Sequence, residues 1–200
     1  PLKTNYKQMK KIIAVSILCF LFHFNSFSQT FQSIERIDAV TGKSTDLKSL
    51  ISGKAMVLIF HSLGCPYSKM YEKRLIALRN SYSNKGIRFV LINPESEVDP
   101  ESQKVLKSYI DDSGLNMNYL IDEEQVLVKQ LNITKIPEAL IILNTESGLN
   151  VVYRGAIDNN PQAESAVSER VLERAINQVL RNEEPSPATV RATGCNMKSF

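Results

Sequence analysis

The chain has 200 residues, 43% of them hydrophobic and 22% charged, with a net charge of +3 and three cysteines. That is material for one globular domain with appendages, and neither a low-complexity tract nor an internal repeat points elsewhere. The positive charge belongs to the first 28 residues, which hold Lys3, Lys7, Lys10 and Lys11 and no acid; the remainder is slightly acidic, which excludes a nucleic-acid binder held by a basic face.

Residues 1–28 read as an upstream stretch plus a secretory leader. Met9, Lys10 and Lys11 form a basic start, and residues 12–24 are almost wholly apolar. Ser26 and Ser28 then supply the small residues of a cut after Ser28. The apolar run is short of the ~20 residues that span a bilayer, so contact with a membrane is expected only in transit. Cys19 lies inside this run and reads as an apolar filler. The expected location is the periplasm or the exterior, where a disulfide can persist; Cys65 and Cys195 remain, and their spacing leaves open whether they pair or Cys195 is a free or intermolecularly bonded tail cysteine.

The predicted domain covers residues 29–182. Residues 31–40 read as a strand, 46–50 as a helical turn, and 55–60 as a buried apolar strand. A helix follows over residues 66–83, opened by Pro66 and closed at Gly86. Residues 87–92 form the next buried strand, and 99–112 a helix with Val105, Leu106, Tyr109 and Ile110 inward. A strand at 118–121 and a helix at 123–131 come next. A hairpin pairs 138–143 with 149–154. The last helix spans 162–180, with Ala166 and Val167 beginning its inner face. Residues 183–200 form an extended, poorly packed tail containing Cys195.

Alternating strands and helices predict an α/β fold, a central mixed sheet with helices on both faces. Sites in such sheets lie beyond the C-terminal ends of strands. Cys65 stands at such an end, at a helix N-terminus whose unpaired N–H groups and dipole favour the reactive thiolate. Against this stands the ordinary reading of a single cysteine as a small buried hydrophobe.

The strand, Cys65, Pro66 and helix, followed by Ile136 and Pro137 before a strand and a Gly-containing hairpin, resemble the thioredoxin-like fold. The Cys-Pro-Tyr helix start at 65–67, the Tyr-Arg-Gly-Ala-Ile-Asp segment at 153–158 and the Gly-Cys-Asn-Met-Lys segment at 194–198 resemble the peroxiredoxin-like, AhpC/TSA-type branch of the redoxins. The resemblance implies a cis peptide before Pro137. It also implies Cys65 as the nucleophile in peroxide reduction or thiol–disulfide exchange. Ser62, three residues earlier, is the implied partner of the thiolate or of a peroxide oxygen. Pro66, Tyr67, Ser68, Ile136 and Pro137 would line the substrate groove. Cys195 is the candidate resolving cysteine. An external thiol, thioredoxin-like or small, would return the electrons, with no organic cofactor and no metal.

Three departures bear on this. Ser68 stands where thioredoxins carry a second cysteine, so no local dithiol forms. Leu58 stands where peroxiredoxins carry a proline, and no motif supplies their activating arginine. A non-catalytic thioredoxin-fold binding module is therefore the alternative. His61 reads as a strand-end polar residue, since no CxxC or HxxxH spacing accompanies it. Tyr71 reads as core, Glu72 as either the match to the family's Tyr-Glu pair or a solvated charge, and Arg154 and Asp158 as a surface ion pair or turn caps, or else as site residues.

Overall fold

The computed structural model describes residues 29–198, so the expected leader and its expected cut lie outside the described residues. Eleven strands run in chain order as β1 (Gln29–Phe31), β2 (Glu35–Asp38), β3 (Lys43–Asp46), β4 (Ala55–Phe60), β5 (Ile87–Asn93), β6 (Asn118–Ile121), β7 (Lys135–Ile136), β8 (Glu138–Thr145), β9 (Gly148–Gly155), β10 (Thr189–Val190) and β11 (Cys195–Asn196). The α-helices are α1 (Pro66–Tyr82), α2 (Pro100–Ser113), α3 (Val126–Leu131) and α4 (Val171–Leu180).

The main sheet runs β1-β9-β8-β4-β5-β6-β2-β3, with β10 on the edge of β9 beyond β1. β4, β5 and β6 are parallel to one another, β8 is antiparallel to β4 and β9, β2 is antiparallel to β6 and β3, and β10 runs parallel to β9, so the sheet is mixed as expected. Every residue of β4 is fully buried, which explains its unbroken apolar run in place of an alternating one. Successive β4 side chains point to opposite faces and seed two cores. Val57 and Ile59 pack with Tyr71 and Leu75 of α1, Leu106 of α2 and Leu172 of α4. Met56, Leu58 and Phe60 pack with Leu127 and Leu131 of α3 and with Ile136. Among the described residues no helix is long and apolar enough to cross a membrane.

Four expectations need correction. Residues 31–40 are not one strand: β1 joins β9 at one side of the sheet while β2 joins β6 near the other. The helix expected at 123–131 starts at Val126, because the buried Asp122 carboxylate takes the Leu127 and Val128 N–H groups and sets the first turn there. The last helix begins at Val171. The preceding loop is held instead by Asn160 Oδ1, which accepts from the Gln162 and Ala163 N–H groups, and by Asn159 Oδ1, which accepts from those of Ser168 and Glu169; Ala166 is exposed. Val105 is also exposed, leaving Leu106 and Ile110 as the buried face of α2.

The tail is not poorly packed. The Arg154 and Ala156 N–H groups donate to the Ala188 and Val190 carbonyls, the Met197 N–H to the Thr134 carbonyl, and Gln125 Nε2 to the Lys198 carbonyl. It forms a strap that crosses the C-terminal end of the sheet.

Candidate functional site

β4 ends at Phe60, and the chain turns through residues 61–65 into α1. Cys65 occupies the N-cap with Pro66 at the first helical position. The turn is tied by backbone bonds from Cys65 N–H to the Ser62 carbonyl (3.2 Å) and from Ser68 N–H to the Cys65 carbonyl (3.0 Å). The Ser62 N–H closes it by donating to Ser68 Oγ (3.3 Å). Ser68 is fully buried, so in the place of a second cysteine it serves as a hydrogen-bonding brace for the turn.

Cys65 and Cys195 are joined in a disulfide, their Cα atoms 6.1 Å apart across 130 residues of sequence. Cys195 reaches Cys65 because β11 pairs antiparallel with β7, placing Cys195 opposite Ile136 and Asn196 opposite Lys135. The Ile136–Pro137 peptide is cis. The Ile136 carbonyl oxygen lies 3.2 Å from Cys65 Sγ. Cys65 is 3% exposed, whereas Cys195 is only partly buried. The strap thus covers the helix-borne sulfur.

The other expected groove residues gather here. Pro66 is exposed, Tyr67 is half-buried against the core cluster that contains Cys65, and Ile136 is buried beneath β11. Ser62 is buried beside them, but its hydroxyl donates to the Glu95 carboxylate while accepting the Gly64 N–H. In this state its proton is therefore committed to Glu95, not to the sulfur.

A second polar cluster lies at the same strand ends. His61 is fully buried, with Nδ1 2.7 Å from the Tyr119 hydroxyl and Nε2 3.5 Å from Glu72. The Asn93 amide donates to the Tyr119 hydroxyl and the Tyr109 hydroxyl donates to Glu72. Burial works against the Glu72 carboxylate, but the His61 ring, the Tyr109 hydroxyl and the Lys69 ammonium outweigh it and hold its pKa below the usual value. Glu72 is thus a paired group and His61 more than a strand-end polar residue.

Arg154 and Asp158 are not a pair. Arg154 binds Glu138 through Nε and Nη2 and bonds the Leu131 and Asn132 carbonyls at the end of α3. Asp158 is buried with Arg74 and the Tyr71 hydroxyl. Burial, and then the Asp158 charge, push the Tyr71 phenol well up. Tyr71 is core, as expected, with its polar tip satisfied.

Sequence reasoning missed Glu95, Asn93, Tyr109 and Tyr119. Asn93 ends the buried strand β5, beside β4, and Glu95 lies two residues beyond it, so the strand-end rule that found Cys65 also marks them. Nothing local marks the two tyrosines.

The profile of the AhpC/TSA family matches residues 26–151, which include Cys65 and Pro137 and end before Cys195. No curated protein matches. An uncharacterised conserved protein from Geobacillus kaustophilus is similar in structure, with a TM-score of 0.75, 24% identity, and coverage of 89% of this chain and 94% of that one. A hypothetical protein from Sinorhizobium meliloti gives 0.74, 22%, 86% and 94%. A thioredoxin-family thiol:disulfide interchange protein from Chlorobium tepidum gives 0.56, 19%, 78% and 99%. At these identities the structures speak for the thioredoxin-like fold alone. The profile match covers most of the chain, and by it the chain belongs to the AhpC/TSA family of thioredoxin-like redoxins.

Proposed function

We propose that this protein is an exported thiol oxidoreductase that cycles Cys65 and Cys195 between dithiol and disulfide, working in the periplasm or outside the cell. The observation that carries this reading is the Cys65–Cys195 disulfide, formed at the end of β4 against the Ile136–Pro137 segment. In the reduced protein the Cys65 thiolate attacks one sulfur of a substrate disulfide and expels the other as a thiolate. The Cys195 thiolate then attacks Cys65 Sγ, closing the protein disulfide and releasing the second substrate thiolate. Two electrons pass from the dithiol to the substrate. Two external thiols reset the protein and leave as their own disulfide. This chemistry needs no metal and no organic cofactor.

Peroxide reduction is the second reading, favoured by the family. There Cys65 attacks the peroxide, takes one oxygen as a sulfenic acid and releases an alcohol or water. Cys195 then displaces water to form the same disulfide. We rank thiol–disulfide exchange first because the Ser62 hydroxyl donates to Glu95 in the oxidised protein and not toward the sulfur.

The test is to mix fully reduced protein with oxidised glutathione, and separately with hydrogen peroxide, and follow disulfide formation by intact mass. Closure of the intramolecular disulfide is expected with glutathione; Cys65→Ser abolishes it, and Cys195→Ser stops at a glutathione adduct on Cys65. Failure of both oxidants to restore the disulfide would overturn the proposal and favour the binding module.

A further inference from the structure

We infer that Glu95 is a specificity-determining residue: by holding the Ser62 proton it turns the Cys65 site away from peroxides and toward disulfides. This rests on the reading of Cys65 as the nucleophile and adds what decides between its two oxidants.

Ser62 is 1% exposed, and its hydroxyl has a single proton to give. That proton goes to the Glu95 carboxylate, while the Ser62 oxygen accepts the Gly64 N–H (3.1 Å). Neither contact involves the strap. The turn itself fixes the Ser62 oxygen, and Glu95 is anchored from its own side. The Glu95 N–H donates to Asn93 Oδ1 (2.9 Å), and the Asn93 amide donates to the buried Tyr119 hydroxyl (3.0 Å). A hydrogen bond to a carboxylate is roughly twice as strong as one between neutral groups, so opening the disulfide leaves the proton where it is. The carboxylate also lies against the residue before the nucleophile. A Cβ built on Gly64 would stand 3.6 Å from Glu95 Oε2 and 3.6 Å from Ser62 Oγ.

The two oxidants differ in what departs. With a disulfide, Cys65 Sγ bonds to one substrate sulfur, the S–S bond breaks, and the other sulfur leaves with the electron pair as a thiolate. A thiol's pKa of about 8.5 makes that anion a tolerable product near neutrality. With hydrogen peroxide, Cys65 Sγ bonds to one oxygen and keeps it as the sulfenic acid. The O–O bond breaks, and the other oxygen leaves with the electron pair as hydroxide, which takes a proton from solvent to become water. The pKa of water is about 15.7, so this departure depends on a donor aimed at the developing charge. Ser62 cannot be that donor while Glu95 holds its proton, and the carboxylate opposes a second negative charge beside it. The penalty falls on the peroxide and largely spares the disulfide.

The test uses the full chain carrying Cys195→Ser, so that each adduct on Cys65 persists, with and without Glu95→Ala. Rates are taken with hydrogen peroxide, trapping the sulfenic acid with dimedone, and with the uncharged hydroxyethyl disulfide, reading the tryptic peptide of residues 55–69 by mass. Glu95→Ala is expected to raise the ratio of the peroxide to the disulfide rate constant about tenfold, the weight of one charge-assisted hydrogen bond, and adding Ser62→Ala should abolish that gain. Glu95→Gln, which keeps the side-chain volume, takes its place if Glu95→Ala does not fold. An unchanged ratio would overturn the inference. So would a gain that survives Ser62→Ala, because the charge would then act on Cys65 directly. Either result leaves the exchange reading standing, whereas a Cys65 that reacts with neither oxidant would overturn both.

Discussion

Gly194 lies flat against Ile136: a Cβ built on Gly194 would stand 2.1 Å from the Ile136 carbonyl oxygen and 3.0 Å from the Pro137 nitrogen. A side chain there cannot coexist with the β11–β7 pairing that brings Cys195 to Cys65. Gly194→Ala is therefore expected to lift the strap while leaving the main sheet intact. At an overpacking cost of about 1–3 kcal/mol, the glutathione ratio that half-reduces the disulfide shifts about tenfold or more toward the dithiol. Titration in glutathione redox buffers measures this; an unchanged midpoint would mean the strap tolerates a side chain at 194.

Cys195→Ser removes a covalent link across 130 residues. The loop-entropy account gives a loss of about 3–5 kcal/mol relative to the oxidised protein. Reduced wild type should unfold at nearly the same denaturant concentration as the variant, since both lack the bond. A variant as stable as oxidised wild type would contradict this.

The Arg74–Asp158 pair is buried, and Arg74 also donates to the Asn160 and Pro161 carbonyls. Arg74→Met leaves the Asp158 carboxylate with only neutral donors, and a loss of about 3–5 kcal/mol is expected. The double variant Arg74→Met/Asp158→Leu removes the orphaned charge as well, so it should be less destabilised than the sum of the single variants. Denaturant melts of the four proteins give the coupling directly.

Glu72 sets a pH dependence of known sign. Its pKa is depressed in the folded protein, so its stabilising contribution is present above the ordinary carboxylate value of about 4.3 and is lost as pH falls through the folded value. Glu72→Gln should therefore be less stable than wild type at pH 6, with the gap closing toward pH 3. Urea midpoints across that range test it; a constant gap would assign the effect to packing and not to charge.

Much of this fold was legible because it is local. The unbroken run of β4, Pro66 opening α1, and the extent of β6 all follow from neighbouring residues. What was illegible depends on partners far along the chain. Residues 31 and 37 carry similar strand patterns, yet Phe31 pairs with Leu149 and Ile37 with Ile121. At the site, Cys65 announces itself through its strand-end position, but the bond between Ser62 and Glu95 spans 33 residues and follows no spacing rule. The strap was misjudged because its proline- and serine-rich composition suggests a loose arm. Its anchorage depends on Gly194 and on Gly155, where a Cβ would meet the Val190 carbonyl oxygen at 1.7 Å.

The strap also has a bearing on solubility. β9 would otherwise expose a row of unpaired amides along its whole length, an invitation to pair with another molecule. Instead β1 covers residues 149–151 and β10 covers 154–155. The opposite rim is β3, whose Lys43, Ser44, Thr45 and Asp46 are polar and at least partly exposed. Each border of the sheet is thus unattractive to a second copy, one because β1 and β10 already occupy it and the other because it is hydrophilic, and this guards the protein against fibrillar self-association.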